Sequence, residues 1–315
     1  NKIIFLWSWN LAGETSSSSG RKPSSSNGPL ENQNSDSLAG ASRGILAPFV
    51  IFPLAIVIVV VLLYMMLGLL TQEERTAREY LNTIRTGGIN SRWQAAFELV
   101  KVLAEEQREG RISPGFASEM VRVYEASRLD DPRVRRYLVR AMEMISGPAI
   151  VDALISALDD SDDETRIYAI LSLGTQKDIR AVPHLIERVT NDDPGIRKAA
   201  IYSLGHFNDP RIPPTMVDAL MDRIPDVRWN AALQLARIGD DSGLEVLREM
   251  LNREFLRTQG QMSDEQRAIA MIQAIRAVNI LDARSFAPIL LRLREGDSNV
   301  KVRQAAIEVL NSWGN

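Results

Sequence analysis

The chain holds two imidazoles, His184 and His206, and no cysteine among its 315 residues. Thiolate nucleophiles, Cys-rich zinc sites and iron–sulfur ligation therefore lack their side chains. Neither histidine is followed by Glu, so no paired His-Glu motif for a di-iron centre is present. A phosphate-cradling glycine loop and a Gly-x-Ser-x-Gly turn are missing as well. No catalytic residue, metal ligand, cofactor or small-molecule site is expected, and the chain reads as a non-enzyme. What recurs instead is a charged turn: Asp131-Pro-Arg-Val-Arg135, Asp162-Asp-Glu-Thr-Arg166, Asp193-Pro-Gly-Ile-Arg197 and Pro225-Asp-Val-Arg228. Arg135, Arg166, Arg197 and Arg228 follow one another at intervals of 31 residues. Such a guanidinium ladder can bind an anionic partner or pair with acids of neighbouring turns. Identical placement in every unit favours the second use, with Asp131, Asp162 and Asp193 as the acids.

These arginines belong to a helical unit. A small residue follows each by three and an apolar residue by seven, as in Arg166, Ala169, Leu173 and Arg197, Ala200, Leu204. That is the spacing of one helix face. RWQAAFEL at Arg92–Leu99, RWNAALQL at Arg228–Leu235, RAIAMIQA at Arg267–Ala274 and RQAAIEVL at Arg303–Leu310 extend the set to seven first helices. Second helices lie between them: AIVDALISAL at Ala149–Leu158, AVPHLIERV at Ala181–Val189, MVDALMDRI at Met216–Ile224, LEVLREML at Leu244–Leu251 and FAPILLRLRE at Phe286–Glu295. Two short antiparallel helices cannot bury their apolar faces alone, so the units must stack. The fold class is all-α: an α-solenoid over 90–315, with a concave surface expected from the second helices. Polar residues there that the core does not need are the expected partner contacts, namely His184, Glu187, Arg188, Asp218 and Arg223. Trp93 and Trp229, at matching places in two repeats, are candidate interface anchors. With Tyr168 and Tyr202 in neighbouring slots, an aromatic stripe is possible from the spacing.

The Asp-Pro-x-Val-Arg…Ala…Leu first helix, and the second helix Lys177-Asp-Ile-Arg-Ala-Val-Pro-His-Leu-Ile-Glu-Arg-Val189, resemble the HEAT-repeat family, in particular the short bacterial repeats also known as PBS-lyase HEAT-like. The resemblance covers about 90–313 and implies protein-partner binding. It also brings in bilin lyases and HEAT-type hydroxylases, an enzymatic alternative for which no residue here supplies a site. The span, neck and opening repeat together resemble single-span bacterial HEAT-repeat proteins associated with export-type ABC transporter genes. That resemblance implies an accessory subunit of a bacterial membrane complex.

Upstream of the repeats, residues 1–13 are apolar and aromatic but too short to cross a bilayer. The stretch from Glu14 to Ser42 is rich in Ser, Asn and Gly, a composition that cannot offset its ordering entropy, so 1–44 is expected to be a mostly disordered tail. Ile45–Leu70 is 26 residues without a charge and is expected to be one transmembrane helix, with irregular first turns at Pro48 and Pro53. Over 71–89 a neck helix is expected, opened by a capping box at Thr71-Gln-Glu-Glu74 and closed by Gly87-Gly88. The net charge of −3, spread in both signs, gives no basic face and disfavours nucleic acid. Partners are expected to be proteins, chiefly membrane proteins, with the bilayer itself contacted through Ile45–Leu70. Arg75, Arg78 and Arg85 follow the span while Arg43 alone closely precedes it, which predicts a single-pass protein of the bacterial inner membrane with its repeats in the cytoplasm. A cysteine introduced by Ser91→Cys should resist an impermeant maleimide added to intact cells and react once the membrane is opened. Labelling from outside would invert the topology.

Overall fold

The computed structural model describes residues 43–70, 75–260 and 262–314. It falls into two compact units, 1–73 and 74–315. In the first, helix α1 (Arg43–Leu70) runs 28 residues and passes through Pro48 and Pro53 without a break, where irregular turns were expected. Each proline removes one backbone donor, and the rest of the ladder is enough to carry the helix past it. Side-chain surroundings in α1 are described for 53–66, all of them exposed. Those residues rise about 21 Å, and among the described residues no helix is long and apolar enough to cross a membrane.

The second unit is a double row of helices: α2 (Ala77–Thr86), α3 (Ile89–Arg108), α4 (Phe116–Ala126), α5 (Pro132–Met142), α6 (Pro148–Ala157), α7 (Asp163–Gln176), α8 (Ala181–Arg188), α9 (Pro194–Leu204), α10 (Ile212–Ala219), α11 (Pro225–Arg237), α12 (Leu244–Met250), α13 (Arg253–Thr258), α14 (Asp264–Ile280), α15 (Ala287–Gly296) and α16 (Val300–Gly314). The seven first helices expected from the repeat are α3, α5, α7, α9, α11, α14 and α16, and each packs on the next. Among the described residues no strand occurs. Turn chemistry starts the helices as the sequence dictates. Asp131, Asp162 and Asp193 each cap a first helix through a side-chain oxygen, and Pro132 and Pro194 supply a pre-set first turn.

Two expectations near the neck change. The helix starts at Ala77 behind an N-cap at Thr76, whose hydroxyl accepts from the Glu79 amide, and the proposed box at Thr71 lies outside the described residues. Nor does α2 stand apart from the repeats. Ala77, Leu81 and Ile84 are fully buried against α3 and α4, and the Ala77 amide donates to Glu106 Oε1 at 2.9 Å. Its three apolar residues on one face need a partner, and α3 offers one.

The rows differ in spacing. First helices meet through small residues: Ala169, Ala200, Ala231 and Ala232 are fully buried, and a Cβ added at Gly174 of α7 would lie 2.8 Å from Ser203 Cβ of α9. In the second row α8, α10 and α12 hardly touch one another. A stack pinched on one side and spread on the other curves toward the pinched side. The exposed sides of the first helices therefore form the more closely spaced of the two faces of this unit. Small side chains let one row close, and larger ones hold the other open. Gly174→Ala should lower stability by about 1–2 kcal/mol, because overpacking outweighs the helix-propensity gain. Adding Ser203→Gly should recover most of the loss in thermal melts. A melting temperature unchanged by Gly174→Ala would contradict the close approach.

Candidate partner-binding surface

Three of the repeat turns hold an aspartate that serves three groups and ties the turn to a neighbour. The Asp160 carboxylate takes the Arg135 fork, at 2.8 Å from Nε and 3.0 Å from Nη2, while its Oδ1 accepts the Asp162 amide and its carbonyl accepts Arg166 Nη1 at 2.9 Å. Asp222 repeats the arrangement with Arg197 at 2.7 and 2.9 Å, the Ile224 amide, and Arg228 on its carbonyl. Asp297 does so with Arg253, the Asn299 amide and Arg303. Arg135 and Arg197 are buried, so these are charge-assisted bidentate bonds shielded from water. Burial pushes the Asp222 carboxyl up, and Arg197 with the Ile224 amide more than reverses it, leaving the group below the ordinary carboxylate range.

The acids that meet Arg135 and Arg197 are not the three expected. Asp131 pairs with Arg133 and caps α5, Asp193 caps α9, and Asp162 takes Arg136 at 2.6 and 2.7 Å while capping α7. The Arg136 fork, against the upward push of burial and with help from Thr165, holds Asp162 at about 2. Its contribution is complete above the unfolded carboxyl value of about 4 and disappears as pH falls through about 2. Spacing alone could not separate an Asp that opens a helix from one a few residues earlier in the same turn.

With these arginines engaged, the exposed face of the first helices is left to aromatic rings. Tyr137 and Tyr168 occupy one register of successive first helices, and Phe97 and Tyr202 another. Phe97 meets Tyr137 edge-on at 5.3 Å between centroids, Arg140 lies over Tyr168 at 5.8 Å, and Tyr202 meets the His206 ring at 5.0 Å. Phe97 is half-exposed and the three tyrosines are partly covered. Burial pushes the Tyr168 and Tyr202 hydroxyls up and the His206 ring down, the mark of a partly dried wall. Rigid rings with a polar tip, backed by a close-packed helix row, make a surface suited to protein contact.

The other sequence candidates scatter. Trp229 is only 4 % exposed and packs in the core, so it does not anchor a partner. Trp93 is half-buried beneath the Arg133 guanidinium, 4.6 Å from the ring centroid. On the second helices His184 is partly buried, Glu187 exposed, and Arg188 tied to Asp159 at 2.6 Å. Asp218 and Arg223 are exposed on and just beyond α10. These five sit on the spread row and do not converge with the rings. Among the described residues no group of three or more acids and histidines could hold a metal ion.

Residues 122–204 and 189–263 match the family model described as HEAT repeats. No curated protein matches the chain. Among solved structures, the CpcE–CpcF complex of phycocyanin lyase from Nostoc sp. PCC7120 is 18% identical, with 77% of this chain and 96% of that one covered and a TM-score of 0.48. Human deoxyhypusine hydroxylase is 11% identical over 76% and 96%, TM-score 0.31. A designed armadillo repeat protein in complex with the peptide (KR)4 is 15% identical over 75% and 98%, TM-score 0.39.

One HEAT-repeat turn lacks its aspartate. Asn191 stands where Asp160 and Asp222 stand in the adjoining turns; its Oδ1 still accepts the Asp193 amide, but Arg166 Nε is buried without a partner. Asn191→Asp should supply the missing carboxylate and stabilise the unit by about 1 kcal/mol, or roughly 2–4 °C in melting temperature. Asp222→Asn should destabilise it by about 3 kcal/mol, since it strands the buried Arg197 charge. Thermal melts of the two variants test both signs.

Proposed function

We propose that this protein is a non-enzymatic scaffold, held at a membrane by α1, that grips partner proteins on its first-helix face. The observation that carries the reading is the band of Phe97, Tyr137, Tyr168 and Tyr202 on the pinched row, held in register by the repeat and open to solvent along one side. HEAT repeats in 122–263 support it, because a stacked array offers a long continuous surface. The anchor is supported by the charge-free run Ile45–Leu70, 26 residues where a bilayer-spanning helix needs about 20. From Leu54 to Met66 its apolar side chains are exposed, a patch that water does not favour. Arg75, Arg78 and Arg85 support a cytoplasmic position for the repeats, in a bacterial inner membrane, and an accessory place in a membrane complex. Anchoring confines the array to the neighbourhood of membrane partners and raises their effective concentration.

Photo-crosslinking separates the faces. Benzoylphenylalanine at Phe97 or Asn230, on first helices, should capture a partner in native membranes, whereas the same group at Glu187 or Asp218 should not. Capture from Glu187 and Asp218 alone would return the site to the second helices. Capture from neither face, with loss of co-purification when Ile45–Leu70 is replaced by an unrelated apolar helix, would place the partner in the bilayer.

A further inference from the structure

We propose that the occupant of the first-helix face is an extended acidic segment of the partner, with a carboxylate at about every third residue and apolar side chains between. This rests on the scaffold reading above. Four cations border the aromatic band: Arg140 on α5, Lys177 at the end of α7, Arg237 on α11 and Arg276 on α14. Among the described residues none of the four forms an ion pair. Arg140 has only the Tyr168 ring beneath it, and Arg237 only the Gly205 carbonyl. The nearby acids are already held. Glu164 takes Arg136, Asp226 takes Lys198, and Glu143 accepts the Thr175 hydroxyl at 3.1 Å.

Two of the cations, Arg237 and Arg276, share one register with His206. His206, Arg237 and Arg276 each lie nine residues beyond the arginine of their own repeat, Arg197, Arg228 and Arg267. Arg140 lies over the Tyr168 ring, and Tyr202 meets the His206 ring, which shares the register of Arg237 and Arg276, so cations and rings lie on one helix face. Packed helices are about 8–10 Å apart and an extended chain advances about 3.3 Å per residue, so one repeat passes for about every three residues of ligand. A segment with that acidic period meets a cation at α5, α7, α11 and α14 and the His206 ring at α9, and its intervening apolar side chains lie against Tyr168, Tyr202 and the partly covered Leu171 and Leu233. A basic segment would meet uncompensated like charge. A single nucleic-acid strand could stack on the rings, but rings interleaved with aliphatic residues and a chain of net charge −3 favour peptide.

The test is fluorescence anisotropy of the full chain in mild detergent with a labelled Glu-Leu-Ser repeat peptide long enough to cover α5 to α14. It should bind, lose affinity as salt rises, and bind at least about tenfold more weakly to the triple variant Arg140→Ala, Arg237→Ala, Arg276→Ala with helicity unchanged. Should that variant lose helicity, Arg276→Glu alone, on an exposed position, carries the same expectation. A Lys-Leu-Ser peptide should not bind. The inference is overturned if the acidic peptide fails to bind, if the basic peptide binds equally, if the variants change nothing, or if a single-stranded oligonucleotide binds more tightly. If the basic residues serve only the dipoles of their helix ends, the variants lower the melting temperature and leave peptide affinity as it was, which also overturns it. Partner capture from Phe97 and Asn230 that persists through such a failure leaves the scaffold reading standing.

Discussion

A buried arginine forked onto the aspartate of the next turn is the interaction on which the repeat array depends. A helix pair of this size has too little core to hold its own orientation, and apolar contact between neighbours is not directional. The fork is directional. Arg135 on Asp160 and Arg197 on Asp222 fix the angle between successive units, and the same aspartates close their own turns through backbone bonds. Because the carbonyl of each aspartate accepts the arginine of its own repeat, the position of one unit is passed to the next through a single residue.

Close approach of the first helices follows from that fixed angle together with their side chains. Alanines, Ser203 and the glycines at 174 and 205 leave room for backbones to meet, and Gln176 reaches across to accepting carbonyls at the end of α5, the Ile145 oxygen at 2.7 Å. Orphan carbonyls at a helix end are thereby answered by the next helix in the row. The larger polar and aromatic side chains, excluded from this seam, are displaced to the exposed face of the row. Packing and partner-facing chemistry are in this sense one constraint seen from two sides.

Much of this was legible in the sequence, because period and pattern report burial. Arg135, Arg166, Arg197 and Arg228 at equal intervals mark the first helices, and the Asp-Pro turns mark their starts. What stayed hidden depends on distances across the row. The acids that meet the arginines lie 25 residues on, at Asp160 and Asp222, in the loop before the more conspicuous helix caps. The spacing of the two rows was hidden too, since helical periodicity says which side of a helix is apolar but not how closely its neighbours approach. Trp229 looked like an anchor because Trp is amphipathic, and its burial could be known only once α9 and α14 flanked α11. The start of α2 lay beyond local capping signals: Thr71 and Thr76 both qualify, and the helix begins where Ala77 can dock on Glu106.

Asn191 gives the array two kinds of joint. Between α5 and α7, and between α9 and α11, ion pairs cross from one unit to the next. Among the described residues none crosses from α7 to α9, where Gly174 against Ser203 and the buried alanines provide the contact. The ionic joints soften in acid, as their carboxylates take up protons; the apolar one softens in the cold, as hydrophobic attraction fades. No single change of medium loosens every joint at once, and an array assembled in this mixed way keeps part of its curvature under conditions that would relax a uniform one.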